Sequence, residues 1–306
     1  MTKSGYEEDF SAAVTVSSSL QGPIIPPSIP IVIYAAAVGT STGALLMGGL
    51  IPGILLRVSN MIVIYFIAKK RKYPKSAEIY DFKKVIKIIT QALPALLTPV
   101  VLIGGIVSGI FTPTDTEAAA IAVSYAIIVG FIVYKGLSIN GIYRICGDVA
   151  KKTGAIIILS GSATLFGKVL ALERVPQMIV LGIKSVTSSP ILVLLIINII
   201  LLLYGMVMDT LPALLLLAPI FSSLVISLGV DPVHFGVVMV FNLMIGRMTP
   251  PYCLCLFTAA AICDSSIEEI SKAALLFIII NIVILFFITY VPEIVLFFPR
   301  LMGLVN

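Results

Sequence analysis

Residues 17–27 crowd Ser17, Ser18, Ser19, Gly22, Pro23, Pro26 and Pro27 into an otherwise apolar region, and Gly39, Thr40 and Ser41 follow closely. A second set is built alike, with Asn242, Gly246, Thr249, Pro250 and Pro251, then Asp264, Ser265 and Ser266. Proline removes a backbone donor and interrupts the helical ladder. Each set therefore bares carbonyl oxygens at the end of one half-helix and N–H groups at the start of the next. The carbonyls, with nearby hydroxyls, suit a hard cation such as sodium, and the N–H groups suit a substrate carboxylate. For any single Ser or Thr, helix capping or helix–helix packing is the competing explanation.

Charged groups inside apolar runs add to this inventory. An ionisable residue in a membrane segment is a functional hypothesis by default, which singles out Asp209 with Thr210, and Glu117. Asp209 equally suits the N-cap of a helix starting near Leu211, and Glu117 a first-turn acid. Arg247 either meets an anionic substrate or is a poorly tolerated substitution. Arg57 is costly unless it finds a partner or water.

Enzymatic chemistry finds little support. His234 is the single histidine, and the four cysteines, Cys146, Cys253, Cys255 and Cys263, lie in or beside apolar segments without the C-x2-C spacing of a zinc site. No nucleophile motif or phosphate loop is present. Transport without a nucleotide has to be driven by an ion gradient.

The elements that hold these residues follow from composition. Of 306 residues, 59% are hydrophobic and 11% charged, with a mean hydropathy of +1.14. Runs at 44–68, 92–111, 118–134, 153–172, 190–207 and 273–292 are long enough, or nearly so, to cross a bilayer. These imply an all-α polytopic membrane protein. The net charge of +5 comes largely from short loops such as 69–75, the pattern of cytoplasmic loops, and carries no sign of nucleic-acid binding.

Residues 10–37 and 232–263 are apolar but interrupted, and non-helical backbone at membrane depth needs protein or water around it. Each is expected to form a re-entrant hairpin. Shifted by 224 positions, the chain meets itself at ten identities over 5–41, including Gly22 with Gly246, Pro26-Pro27 with Pro250-Pro251, and Ser41 with Ser265. Paired interrupted segments point to a transporter's binding site. The expected division is residues 1–69 (hairpin 10–37, helix 43–69), 70–189 (basic loop, an amphipathic stretch over 83–97 at the interface, connecting helices), and 190–306 (broken helix 190–228, hairpin 232–263, helix 267–292). The segment 204–229 has no counterpart before the first hairpin, so the chain is expected to start inside a repeat.

The motifs GPIIPPSIP, MDTLPALLLLAP, LGVDPVHFGVVMVFNLMIG, FGKVLALERVPQ and ALPALLTPVVLIGGIVSGIFTPT resemble the large (DctM-like) permease subunit of tripartite ATP-independent periplasmic transporters, along essentially the whole chain. The resemblance implies an elevator fold with inverted repeats and sodium-coupled import of small organic acids of the C4-dicarboxylate, keto acid or sialic acid class. It implies a bacterial inner-membrane location, with no cofactor beyond the coupling Na⁺. Its implied partners are a small DctQ-like membrane subunit and a periplasmic substrate-binding protein. Carried over residue by residue, it places ion and substrate binding at Ser18, Ser19, Gly22, Pro26, Pro27, Thr40, Ser41, Gly246, Thr249, Pro250, Pro251 and around Asp264-Ser265. Arg247, Tyr252-Cys253 and Asp115-Thr116 depart from the family pattern. The alternatives are a truncated, inactive remnant of such a permease and, more remotely, a membrane enzyme.

Overall fold

The computed structural model describes residues 1–2, 5–73, 82–107, 116–174, 178, 181–182, 187, 189–250, 253–263 and 265–305. All regular structure among them is helical. Among the described residues, three helices are long and apolar enough to cross a membrane: Thr42–Lys70, Thr210–Ser227 and Ile267–Tyr290. The chain divides into two compact units, residues 1–74 with 163–306, and residues 75–162. The sequence reading puts those divisions at 69/70 and 189/190.

The first unit opens with α1 (Glu8–Ser19), a non-helical break, and α2 (Ile29–Val38). Ser28 caps α2 by accepting the Ile31 N–H at 3.2 Å, and Gly39 ends it at φ +75°, a left-handed conformation that glycine adopts without strain. After a short turn come α3 (Thr42–Gly48) and α4 (Leu50–Lys70), which together form one long span. Pro52, Leu56, Asn60 and Val63 make the buried stripe of α4, at helical spacing. Ile54, Val58, Met61, Ile62, Tyr65 and Phe66 are exposed on its other faces. Water makes such an apolar face unfavourable and a bilayer does not, in keeping with a multi-pass helical membrane protein.

The second half of this unit holds α8 (Pro190–Gly205), α9 (Thr210–Ser227), α10 (Pro232–Gly246), α11 (Leu254–Ala260), α12 (Ile267–Tyr290) and α13 (Glu293–Leu301). Asp231 caps α10 through the Val233 and His234 N–H groups, and Ser266 with Glu269 closes a capping box on α12.

Both interrupted segments differ from the expected hairpins. Glu7 and Phe10, at the start of α1, lie against Arg71 and Tyr73, beyond the end of α4. At the break, Ile25 meets Gly53 and Ile24 meets Gly49, farther back along the same span. Tyr34 in α2 abuts Gly236, which also abuts Leu45 in α3. The chain therefore runs past α4 and on past α3 without turning back. The second copy does likewise beside α12: His234 Nε2 bonds the Ile288 carbonyl at 2.9 Å, Met248 meets Asn281, and α11 packs near the α12 start. Each is a discontinuous helix that is passed through, because its two arms find different neighbours instead of each other. The two run in opposite directions, with α1 beside α11 and α2 beside α10.

The hairpin lies in the segment expected to be a broken helix, 190–228. The Tyr290 hydroxyl donates to the Ile191 carbonyl near the start of α8, and Ser222 near the end of α9 bonds Tyr34, whose hydroxyl also reaches the Pro232 carbonyl. Both arms thus leave from one end of the bundle and pack on each other. Their tip, residues 206–209, meets the α10 break.

The remaining unit holds α5 (Phe82–Val107), α6 (Thr116–Ile128), a π-helical turn (Val129–Val133) and the beginning of α7 (Ile139–Leu172). The amphipathic stretch 83–97 and the following apolar run form one continuous helix, α5. It packs against α6, with Tyr125 donating to the Pro94 carbonyl at 3.0 Å and Tyr134 to the Gln91 carbonyl at 2.7 Å.

Candidate functional site

The hairpin tip and the second break are joined by two glycines. A Cβ on Gly246 would sit 2.6 Å from the Gly205 Cα and 2.5 Å from its carbonyl carbon. Only two bare backbones allow this approach. It brings Asp209, the N-cap of α9, within 3.5 Å of Arg247, the C-cap of α10 (Oδ1 to Nε). Asp209 Oδ1 also accepts the Thr210 N–H at 2.8 Å. Asp209 therefore takes the capping role weighed for it, and its carboxylate also faces a cationic side chain. Arg247, set down as a possible misfit, has an acidic partner, and its side chain is 27% exposed.

Buried polar groups surround this junction. Asn242 donates to both the Asn198 carbonyl and its Oδ1, each at 2.9 Å, and Asn198 donates to Thr289 Oγ1 at 3.0 Å. The Asn281 amide nitrogen faces Met248 Sδ at 3.5 Å. Thr210 Oγ1, Asn242 Oδ1 and Asn281 Oδ1 are buried oxygens with no hydrogen-bond partner among the described residues. Such groups are rare and call for a reason. Near the first break, Ser17 Oγ and both polar atoms of the Asn60 amide are in the same condition, on the adjacent helices α1 and α4.

The residues singled out in sequence divide into three groups. Gly22, Pro26, Pro27, Gly246, Thr249 and Pro250 lie at the breaks. Gly22 has open space, the nearest atom to an added Cβ being the Ser19 carbonyl at 3.8 Å. The Ser18 hydroxyl turns back to the Val14 and Thr15 carbonyls, that of Ser19 to Val16, and that of Thr249 to Ile245. Gly39, Thr40 and Ser41 are not at the break: the ten residues of α2 separate them from it, about 15 Å of helix. Ser41 caps α3 through the Ala44 N–H at 3.3 Å. Ser265 similarly lies in the turn after α11, beside the cap Ser266. Pro251, Tyr252, Asp264, Asp115 and the side chain of Glu117 lie outside the described residues. Arg57 is on the exposed side of α4.

Asn60, Asn198 and Asn281 went unmarked in sequence, although each is a lone amide within an apolar run. In hydrocarbon an unpaired side-chain amide costs less than an ionised carboxylate, but still several kcal/mol, which is signal enough in an apolar run.

Comparison with known proteins places the chain. The family described as "Tripartite ATP-independent periplasmic transporter, DctM component" matches residues 1–294. The chain is 39% identical over 298 residues to the isethionate TRAP transporter permease protein DctMQ of Oleidesulfovibrio alaskensis, covering 97% of this chain and 47% of that protein. It is 37% identical over 304 residues to the sialic acid TRAP transporter large permease protein SiaM of Vibrio cholerae, covering 98% and 70%. It is also 37% identical over 304 residues to the C4-dicarboxylate TRAP transporter large permease protein DctM of Pseudomonas aeruginosa, covering 99% and 70%. The chain thus spans under half of the first relative and about 70% of the other two. With its motifs, its paired discontinuous helices and this match over residues 1–294, the chain belongs to the DctM family of TRAP transporter permeases.

Proposed function

We propose that this chain is the permease part of a secondary transporter that imports small organic anions across the bacterial inner membrane, driven by sodium. The supporting observation is the meeting of the α8–α9 tip with the α10 break at Gly205–Gly246, on elements that also carry buried oxygens without partners among the described residues. A site at the junction of broken helices exposes dipole ends that hold ions of either sign. The residues present fit a hard cation, since the unpartnered groups include hydroxyl and amide oxygens. Ser17 and Asn60 would hold it near the first break, and Thr210, Asn242 and Asn281 border the second. A bound cation supplies charge that draws the substrate anion, and the chain itself orients these oxygens and keeps the junction closed to lipid.

The relatives' names support an organic anion as cargo. Sialic acid, C4-dicarboxylate and isethionate are all small organic anions at neutral pH, the first two through carboxylates and the third through a sulfonate. A carboxylate of the C4-dicarboxylate, keto acid or sialic acid class is the proposed cargo, handed over by a periplasmic binding protein, with a small membrane subunit completing the complex. The hairpin α8–α9 is the re-entrant element in this reading, and the bundle around it moves as the carrier of an elevator.

The test is uptake into proteoliposomes that contain this chain, the small subunit and the binding protein. Uptake of a labelled dicarboxylate or sialic acid is expected to rise with an inward sodium gradient and to be lost when choline replaces sodium. Uptake indifferent to sodium refutes the coupling, and no uptake of any such anion refutes the cargo.

A further inference from the structure

Charge balance at the second break leads beyond that reading. Asp209 sits at the tip of the α8–α9 hairpin, and Arg247 at the end of α10 that the tip touches. Arg247 Nε is buried and makes no hydrogen bond among the described residues, while Asp209 Oδ1 is already bonded to the Thr210 N–H. The two are paired by charge and not by a hydrogen-bonded fork. A helix C-terminus and a carboxylate both draw a cation, and the Asp209 carboxylate, 44% exposed at the hairpin tip, has Arg247 beside it. Here the balancing group is a guanidinium that is tied to the chain. The glycine contact between Gly205 and Gly246 holds the two ends together.

We infer that Arg247 is a built-in cation: it supplies at the second break the positive charge that a mobile monovalent cation would otherwise bring, so this break binds no sodium. The inference rests on the sodium-driven reading and narrows it. Mobile sodium is left to the first copy, where Ser17 on α1 and Asn60 on α4 have no side-chain partners among the described residues. Withdrawing the guanidinium leaves Asp209 unbalanced next to Thr210, whose buried hydroxyl has no partner among the described residues, with Asn242 one turn before Gly246 on α10; such oxygens are the chemistry of a cation site.

The experiment counts radiolabelled sodium bound to the purified 306-residue chain in detergent, with choline chloride holding the ionic strength. Arg247→Gln is expected to bind one additional sodium per chain relative to wild type. Adding Asp209→Asn to that variant removes the gain, and Arg247→Lys, which keeps the charge, matches wild type. Thermal unfolding in sodium against choline reports both the fold and the same gain; if the glutamine variant does not fold, Arg247→Met takes its place. Equal sodium in wild type and a folded neutral variant overturns the inference while leaving sodium coupling standing. If wild type binds none and the neutral variant gains one, the inference holds and sodium coupling fails for this chain. If neither binds sodium, both are overturned.

Discussion

Gly205 and Gly246 touch backbone to backbone, so the tip of the α8–α9 hairpin and the end of α10 share one position with no side chain between them. Their neighbours Asp209 and Arg247 meet because of this contact. Whatever motion the transporter makes, these two ends travel together or separate entirely.

Substituting one of these glycines should therefore be severe. Gly246→Ala forces a methyl into the Gly205 backbone, and overpacking of this kind costs about 1–3 kcal/mol. The melting temperature in detergent is expected to fall by several degrees, and anion uptake to fall with it. Gly22→Ala, at the matching position of the first copy, meets nothing closer than 3.8 Å. It is expected to unfold within about 0.5 kcal/mol of wild type.

The pass-through geometry can be checked by sidedness. Cysteines introduced at Thr2 and at Ser41 flank the α1–α2 segment. A membrane-impermeant maleimide applied from one side is expected to label one and spare the other. A hairpin would put both on the same side, and labelling of both from one face would restore that arrangement.

Asn60 offers a contrast between stability and function. Its amide is buried at 3% exposure and neither polar atom has a partner among the described residues. Asn60→Leu removes a desolvated group whose burial costs about 1–3 kcal/mol. We expect a melting temperature equal to or above wild type, with sodium-dependent uptake reduced at least tenfold. A stabilised variant with unchanged sodium dependence would release Asn60 from the site.

The connection serines should behave in the opposite way. Ser41→Ala removes the N-cap of α3 and is expected to lower stability by about 1 kcal/mol. Lying about 15 Å from the break along α2, it should leave the sodium concentration for half-maximal uptake unchanged. A several-fold rise in that concentration would return Ser41 to the ion site.

Much of this arrangement was legible in the sequence. Gly22 with Pro26-Pro27, and Gly246 with Pro250, mark both breaks, because these residues act on the local backbone whatever lies around them. The shift of 224 residues correctly pairs α1 with α10 and α2 with α11. Whether a chain turns back at a break or continues is another matter. Proline stops a helix equally well in both cases, and the deciding contacts are distant: Tyr34 with Ser222, Ile25 with Gly53, Gly205 with Gly246. Asp209 and Arg247 were each suspected alone, and nothing in one strand of text joins residues on separate elements. The capping serines illustrate the converse, since a hydroxyl's type does not say whether it faces its own helix or a ligand.

The bond from Tyr34 to Ser222 and to the Pro232 carbonyl also constrains how the protein is made. Its partners follow 188 and 198 residues later in the chain. At roughly 5–20 residues per second, translation delivers them about 10–40 s after Tyr34 itself has left the ribosome. Throughout that interval the break already has Gly49 and Gly53 of the α3–α4 span beside it, but the face of α2 that meets α9 and α10 stands without them. During synthesis the first copy is thus only half clothed, and its last neighbours come from the far half of the chain.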